Sequence, residues 1–287
     1  MIIDTFDLPL RYDFEHYELN ETGKYQVFFE ETQGTALFKQ YIWASGNSGF
    51  ALTGVGRNPQ EYPTVSIENG IDGSRAIKLE TKSTGQFGET VKMPIAAGNL
   101  FLGSFDVNNA VQKPMKATRC GLPFGKKPLQ LKGYYKYTPG TQPFKAKDKN
   151  GNTVTIPGQE DEGDIYAVLY EAAELDGQAL DGNNVLTSKN IVALARVEVE
   201  KKDEFTAFHV DFHYGSRIPS DWPKFIQDQR DPSDDGTDKY LPFREEKMKN
   251  YEYNLAVVFT SSKYGAYFAG SVGSTLCIDK VEIVCEK

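Results

Sequence analysis

Basic residues are too few in this 287-residue chain to form a surface for nucleic acid. Lys and Arg number 32 against 40 Asp and Glu, which gives a formal net charge of −8. Affinity for nucleic acid depends on clustered Lys and Arg side chains that neutralise phosphates. The composition therefore predicts no nucleic-acid partner.

Cysteine is also scarce. Cys120, Cys277 and Cys285 form no C-x-x-C pair, so they give neither a zinc pattern nor a disulfide framework. Cys277 and Cys285 lie on one extended segment, and the about 3.3 Å rise per residue of a strand holds them too far apart to bridge. We interpret all three as small buried apolar residues.

Long apolar runs and helical patterns are missing as well. No segment is long and apolar enough to cross a membrane, and no signal-peptide pattern begins the chain at 1–4. No stretch sustains an apolar period of 3.6 residues, and the best helical candidate is the short segment 242–250. Taken alone, this sequence would be cytosolic and poor in helix.

Strand patterns dominate instead. Segments rich in β-branched and aromatic residues alternate with Gly, Pro, Asn and Asp at turns, which predicts an all-β fold of two facing sheets. The predicted strands are 25–31, 64–69, 75–82, 99–107, 129–137, 164–172, 191–200, 205–214, 251–259 and 275–284. We expect one domain over 1–287, with N-terminal strands in about 1–40 and long loops at 138–163 and 217–241.

Two stretches resemble a known family. They are 121–140, GLPFGKKPLQLKGYYKYTPG, and 261–283, SSKYGAYFAGSVGSTLCIDKVEI. Together with WASGN at 43–47, AGNLFLGSF at 97–105 and GLPF at 121–124, they resemble the PCMD family, a carbohydrate metabolism domain of secreted proteins in Bacteroides-type bacteria. The resemblance covers most of the chain from about residue 40 onward.

This resemblance implies a jelly-roll β-sandwich of two antiparallel sheets with long loops, and a role connected with sugars. It also implies export to the cell surface, outer membrane or periplasm, with a lipid anchor outside this sequence as the only membrane contact. We expect a poly- or oligosaccharide partner.

The segment 205–214, FTAFHVDFHY, alternates cleanly. Apolar residues from Phe208 to Tyr214 share one face, which we assign to the core. His209, Asp211 and His213 share the other, with neighbours about 6.6 Å apart. A solvated polar surface is the simplest interpretation, and sugar contacts or a metal site are the alternatives.

The last strand changes its frame at Asp279 and Lys280. Leu276 and Ile278 share one face, whereas Val281 shares the other with Asp279. A β-bulge would explain the shift. Because a buried carboxylate must be paired, hydrogen-bonded or bound to a cation, Asp279 is predicted to have a structural role.

The family resemblance suggests which cation. Jelly-roll carbohydrate modules hold a structural calcium ion at a similar last strand, with a carboxylate from the first strand. Here the ligands would be Asp279 with Glu15 or Asp13. A hydrogen-bonded structural Asp279 without metal is the alternative.

Sugar recognition needs an aromatic platform for the C–H face of a pyranose and polar groups for its hydroxyls. Trp222, in a long polar loop, is either a loop anchor or such a platform. Tyr135 and Tyr137 share one strand face and are the other candidates. We place Trp43 in the core because apolar neighbours precede it.

Motifs for hydrolysis are absent. Two carboxylates about 5–9 Å apart would be needed to cleave a glycosidic bond. Glu198 and Glu200 have that spacing on a strand, but Lys201 and Lys202 follow, which indicates an exposed polar face. The sequence carries no nucleophile elbow and no phosphate-binding loop.

These observations favour a non-catalytic glycan-binding module of a secreted or cell-surface protein. If it binds glycan, the site should combine Trp222, or the face of Tyr135 and Tyr137, with the polar row from His209 to His213. A glycoside hydrolase or lyase is the first alternative. A structural, adhesin-like surface subunit is the second.

Overall fold

A computed structural model of the chain describes residues 7–32, 38–175, 178–219 and 222–287. The predicted absence of a signal pattern at 1–4 concerns residues outside this described part. The strands, in chain order, are β1 Arg11–Tyr12, β2 Tyr17–Leu19, β3 Gln26–Phe28, β4 Glu30–Thr32, β5 Phe38–Gln40, β6 Trp43–Ala44, β7 Thr64–Glu68, β8 Arg75–Glu80, β9 Lys82–Ser83, β10 Ile95–Ala96, β11 Asn99–Phe105, β12 Thr118–Cys120, β13 Leu122–Pro123, β14 Pro128–Thr138, β15 Lys145–Lys147, β16 Thr153–Thr155, β17 Asp164–Glu171, β18 Ile191–Val197, β19 Lys202–Asp211, β20 His213–Tyr214, β21 Tyr253–Thr260 and β22 Thr275–Cys285.

Helices are short. The α-helices are α1 Asn47–Ala51, α2 Gly85–Thr90, α3 Lys224–Gln227 and α4 Glu245–Lys249. Single 3-10 turns lie at Pro59–Glu61, Ile71–Gly73, Val107–Asn109, Pro114–Lys116, Ala173–Leu175, Pro232–Asp234 and Gly265–Tyr267. Helix α4 confirms the predicted helical segment at 242–250. Within the described ranges, no helix has the length and apolar character required to span a bilayer.

Two antiparallel sheets form a jelly-roll β-sandwich, as predicted. The smaller sheet has the order β19-β14-β22-β8-β7, and β1 also pairs with β22. The larger sheet has the order β12-β11-β21-β17-β18-β20, with β6 paired to β11 and β13 paired to β21. Hairpins β2-β3, β4-β5, β9-β10 and β15-β16 lie outside both sheets.

The core lies between the sheets. Alternate residues of the larger sheet, such as Ile165 and Val257, join Leu131 and Leu276 of the smaller sheet in one buried cluster. The intervening residues of β17 are buried too, because loops cover the outer face of the larger sheet. A strand buried on both faces is apolar almost throughout, and β17 has the sequence DIYAVLYE.

The predicted bulge in β22 is confirmed. Lys280 has a φ of 46°, and the register of β22 against β14 shifts there. The bulge returns Val281 to the core side, where it joins Leu276 and Ile278. The expectation that Asp279 shares a face with Val281 was therefore wrong, because the extra residue resets the alternation.

One predicted strand is two. The segment 205–214 was expected to run as a single strand, but β19 pairs with β14 in the smaller sheet and β20 pairs with β18 in the larger one. The chain crosses between sheets at Phe212, whose side chain is buried in the core. This crossing decides where the polar residues of the segment lie.

Candidate functional site

A cavity of about 200 Å³ lies on the outer face of the larger sheet. Its floor includes Asp164 and Tyr166 of β17, Val258 and Thr260 of β21, and Cys120 of β12. A cavity of about 150 Å³ accepts benzene. The cavity volume therefore suits one six-membered ring.

Segments far apart in the sequence wall this cavity. Helix α1 and the helix α2 region supply Phe50 and Phe87, and other segments supply Phe105, Tyr267 and Phe268. Most of the lining surface is apolar. Aromatic side chains on several sides of a cavity of this size can pack against the apolar faces of a flat or chair-shaped ligand.

Trp222 both anchors its loop and lines the cavity. Its ring centroid lies 6.3 Å from that of Tyr264 and 6.2 Å from that of Tyr267. The guanidinium carbon of Arg230 lies 4.7 Å from the same ring centroid. The two interpretations left open by the sequence are thus structurally compatible, because the packed ring still borders the cavity.

Asp164 is the one carboxylate among the described residues that line the cavity. Arg196 holds it through two hydrogen bonds, from Nε to Oδ1 at 2.9 Å and from Nη2 to Oδ2 at 2.7 Å. The side chain of Asp164 is only 3% exposed. This pairing occupies both oxygens of Asp164, one with each guanidinium N–H group.

Neither Cys120 nor Tyr166 of the floor is a reactive nucleophile. Burial raises the pKa of the Cys120 thiol to about 12, and it raises the pKa of Tyr166 well above its usual range. Both groups are therefore neutral at physiological pH. A thiol in this state behaves as a small apolar group and not as a nucleophile.

Polar lining groups fall into two sets. Within the protein, Thr260 Oγ1 donates to the carbonyl of Ser262 at 3.1 Å. The Oγ1 of Thr187, in contrast, is buried without a hydrogen-bond partner. Among the polar side chains of the lining, Asn183 is exposed and donates from Nδ2 to Asp181 Oδ1 at 2.9 Å, and Lys263 is partly exposed and donates from Nζ to Glu162 Oε2 at 2.7 Å. Asn183 keeps an amide oxygen and a second N–H, and Lys263 keeps two further ammonium N–H groups, that can bind a ligand hydroxyl.

Tyr135 and Tyr137 do not form an aromatic platform, contrary to the prediction. They are 4% and 3% exposed and belong to the core between the sheets. Their hydroxyls are also used, since Tyr135 accepts from the backbone N–H of Glu200 and Tyr137 donates to the carbonyl of Ser261. Period-two alternation places both tyrosines on one face of the strand, without showing whether that face is buried.

The polar row from His209 to His213 is divided between two faces of the sandwich. His209 and Asp211 are exposed on the outer side of the smaller sheet, where Gln130 donates to Asp211 at 2.6 Å. His213 lies in β20 opposite Leu194, which belongs to the outer layer of the larger sheet. Directly opposed residues share a face. None of the three lines the cavity, so the expected combination with Trp222 does not occur.

Asp279 is fully buried and hydrogen-bonded, as the sequence predicted for a structural carboxylate. Its Oδ2 accepts from the N–H of Ile71 at 2.7 Å and from Ser74 Oγ at 2.9 Å, and its Oδ1 accepts from the N–H of Lys280 at 2.7 Å. Desolvation raises its pKa above the usual range. The carboxylate therefore ties the loop before β8 to the bulge in β22.

The predicted calcium ligands do not fit a metal site well. Glu15 accepts from the backbone N–H of Arg75 at 3.1 Å, and Asp13 is exposed. The described residues contain no cluster of three or more acidic, His or Cys side chains placed to hold a metal. Protein N–H and O–H groups already occupy both oxygens of Asp279. These contacts match the alternative prediction of a hydrogen-bonded Asp279 without metal. A bound calcium ion stays an untested prediction.

The sequence did not reveal the cavity residues Phe87, Asn183 and Lys263. Each lies in a loop or a short helix without a periodic pattern, and they meet only because the sandwich brings their segments together. The useful signal was the resemblance, whose quoted stretches at 97–105 and 261–283 include cavity-lining residues.

The chain is similar to known proteins over almost its whole length. The family model described as "putative carbohydrate metabolism domain" matches residues 13–284. This chain belongs to the PCMD family. The family places it in carbohydrate metabolism, and a comparison with curated proteins gave no match.

Two solved structures share the whole PCMD fold with this chain. A Bacteroides thetaiotaomicron protein described as a "putative glycoside hydrolase" is 41% identical, with a TM-score of 0.79, over 98% of this chain and 72% of that one. A Bacteroides vulgatus protein with the same description is 34% identical, with a TM-score of 0.76, over 98% of this chain and 99% of that one.

Proposed function

We propose that this protein binds an oligosaccharide in the cavity on the larger sheet and does not cleave it. The observation that carries the proposal is the bidentate pairing of Asp164 with Arg196. Glycoside hydrolysis by the common mechanisms uses two carboxylates that flank the scissile bond. Among the described residues the cavity lining offers one, and that one is already paired.

The cavity supplies what sugar binding requires. Trp222 and Tyr267 give ring surfaces for the C–H face of a pyranose. Asn183 offers an amide and Lys263 offers an ammonium group, both of which bind hydroxyls. A mostly apolar cleft with a few polar groups is the usual form of a small-ligand site.

Hydrolysis is the second candidate function. The two similar Bacteroides proteins are each described as a "putative glycoside hydrolase", which favours it. Such an activity in this chain would require carboxylates outside the cavity lining, or release of Asp164 from Arg196. Formation of shorter products from a bound glycan is the observation that would establish it.

Location at the cell surface belongs to the same proposal. Support comes from the family's connection with carbohydrate metabolism, because a polysaccharide is too large to enter a cell intact and is bound at the surface. Protease accessibility of the protein on intact cells that produce it tests this location. Digestion of the protein without lysis is expected, and full protection would contradict surface exposure.

A glycan array followed by calorimetric titration of the best ligand tests the binding function. Lys263→Met removes the ammonium group at the cavity and keeps most of the apolar stem. We expect it to weaken binding about three- to tenfold, the scale of one solvent-accessible hydrogen bond that contributes about 1 kcal/mol.

Lys224→Met is the matched control. Lys224 is 80% exposed, also makes one ion pair, and does not line the cavity. Its affinity should equal that of the wild type. Equal affinities for all three proteins would place the binding site elsewhere.

A further inference from the structure

Phe87 is a large apolar side chain that is 41% exposed and also lines the cavity. Leu52 and Val55 are exposed nearby, at 47% and 43%. Thr53, between them, lines the same cavity, and Val55 borders helix α2 at Gly85. An exposed apolar rim that continues from a cavity marks a surface that a ligand covers.

The backbone around Phe87 is closely packed. Gly85 opens helix α2 with a φ of +63°, a conformation that favours glycine. At Gly88 a Cβ atom would lie 2.6 Å from the carbonyl oxygen of Met93 and would overlap Thr84. Helix α2 therefore packs too closely at Gly88 for any larger residue. This packing fixes the position of the backbone that carries Phe87 at the rim.

The size of the cavity limits what it encloses. Its volume of about 200 Å³ suits one six-membered ring. A second sugar unit joined to the enclosed one therefore lies outside the cavity, at its exposed rim. Since Phe87 borders both the cavity and solvent, its ring lies where the apolar face of that unit can stack.

We propose that Phe87 extends the carbohydrate site beyond the cavity, so that the protein selects a chain of two or more sugar units over a single sugar. The inference rests on the proposed binding function. A glycan is the occupant we commit to, because the rim is continuous with the cavity. The three exposed side chains alone are too few for the roughly 1,000 Å² that a specific protein interface buries.

A chain-length series tests this inference. The ligand identified on the array is titrated into the wild-type protein as one, two, three and four sugar units. Wild-type affinity should rise from one unit to two or three. Phe87→Ala should lower affinity for the longer chains about tenfold and leave single-sugar binding unchanged, because the lost contact lies outside the cavity.

Three further variants separate stacking from general apolar contact. Phe87→Tyr keeps the ring face and should bind like the wild type. Phe87→Leu keeps apolar area without a ring and should resemble Phe87→Ala. Leu129→Ala removes an exposed apolar residue of the smaller sheet that lies outside the cavity lining, and it should have little effect. Thermal unfolding confirms that each variant is folded.

Each contrary result has a distinct meaning. If the wild type binds glycan and Phe87→Ala weakens every chain length equally or none at all, the inference fails and the proposed function stands. If the wild type binds no glycan, both fail. If sedimentation shows a wild-type dimer that Phe87→Ala dissociates, the rim is a self-association surface and the inference is overturned.

Discussion

Replacement of Asp279 by Ala should destabilise the fold by an amount set by three hydrogen bonds. The variant removes the acceptor for the N–H groups of Ile71 and Lys280 and for the hydroxyl of Ser74. Each such bond contributes about 1 kcal/mol net, so the loss should be about 3 kcal/mol. With unfolding entropy of about 2.1 cal/mol/K per residue, Tm should fall by about 5 °C.

Differential scanning calorimetry with and without a chelator measures this directly. Ser74→Ala is the graded control, because it removes one hydroxyl, whose single proton is shared between Asp279 Oδ2 and the carbonyl of Ile71, and it should lower Tm by about 2 °C. If hydrogen bonds alone hold Asp279, chelator leaves the wild-type Tm unchanged. A chelator-induced fall in the wild type but not in Asp279→Ala would establish calcium, and a Tm change below about 1 °C in Asp279→Ala would refute the structural role.

Two further predictions concern buried groups. Desolvation raises the pKa of Glu30, which accepts one hydrogen bond from Trp43 Nε1, to about 7. The stabilisation by protonated Glu30 is therefore fully present below the pKa of the unfolded chain and is lost as pH rises through about 7. The difference in the free energy of unfolding is about 3 kcal/mol. Glu30→Gln should thus flatten the pH dependence of the free energy of unfolding measured in urea. If the free energy of unfolding of Glu30→Gln changes with pH as much as that of the wild type, the pKa of Glu30 is not raised in the folded protein. Thr187→Val should stabilise the protein by about 1 kcal/mol because it removes an unpartnered buried hydroxyl, whereas Thr260→Val should destabilise it by a similar amount because it breaks a hydrogen bond to Ser262. A loss of stability in Thr187→Val would contradict the first of these.

The predictable part of the fold is the part with local patterns. Strands such as β14 and β21 carry alternating or continuous apolar residues, and their predicted bounds differ from the observed ones by one or two residues. The two-residue strand β1 has no pattern of its own, because it exists through pairing with β22. The crossing at Phe212 was hidden for a related reason, since alternation continues through it while the sheet changes.

The candidate site was less predictable. Alternation placed Tyr135 and Tyr137 on one face, yet only the opposing sheet decides that this face is buried. Cavity residues such as Phe87 and Lys263 come from irregular segments whose meeting depends on the whole sandwich. Trp222 was found because a large aromatic residue in a polar loop needs packing or a ligand, and here it has packing and a cavity.

Whether the bound glycan stays intact is the most direct test of the central claim. The oligosaccharide selected on the array should be incubated with excess protein for many hours, and chromatography should compare its chain length before and after. We predict saturable binding, complete recovery of the starting oligosaccharide and no shorter product. Shorter products from the wild-type protein that disappear with Asp164→Asn, in a variant shown by calorimetry to remain folded, would contradict the claim and make Asp164 a catalytic residue.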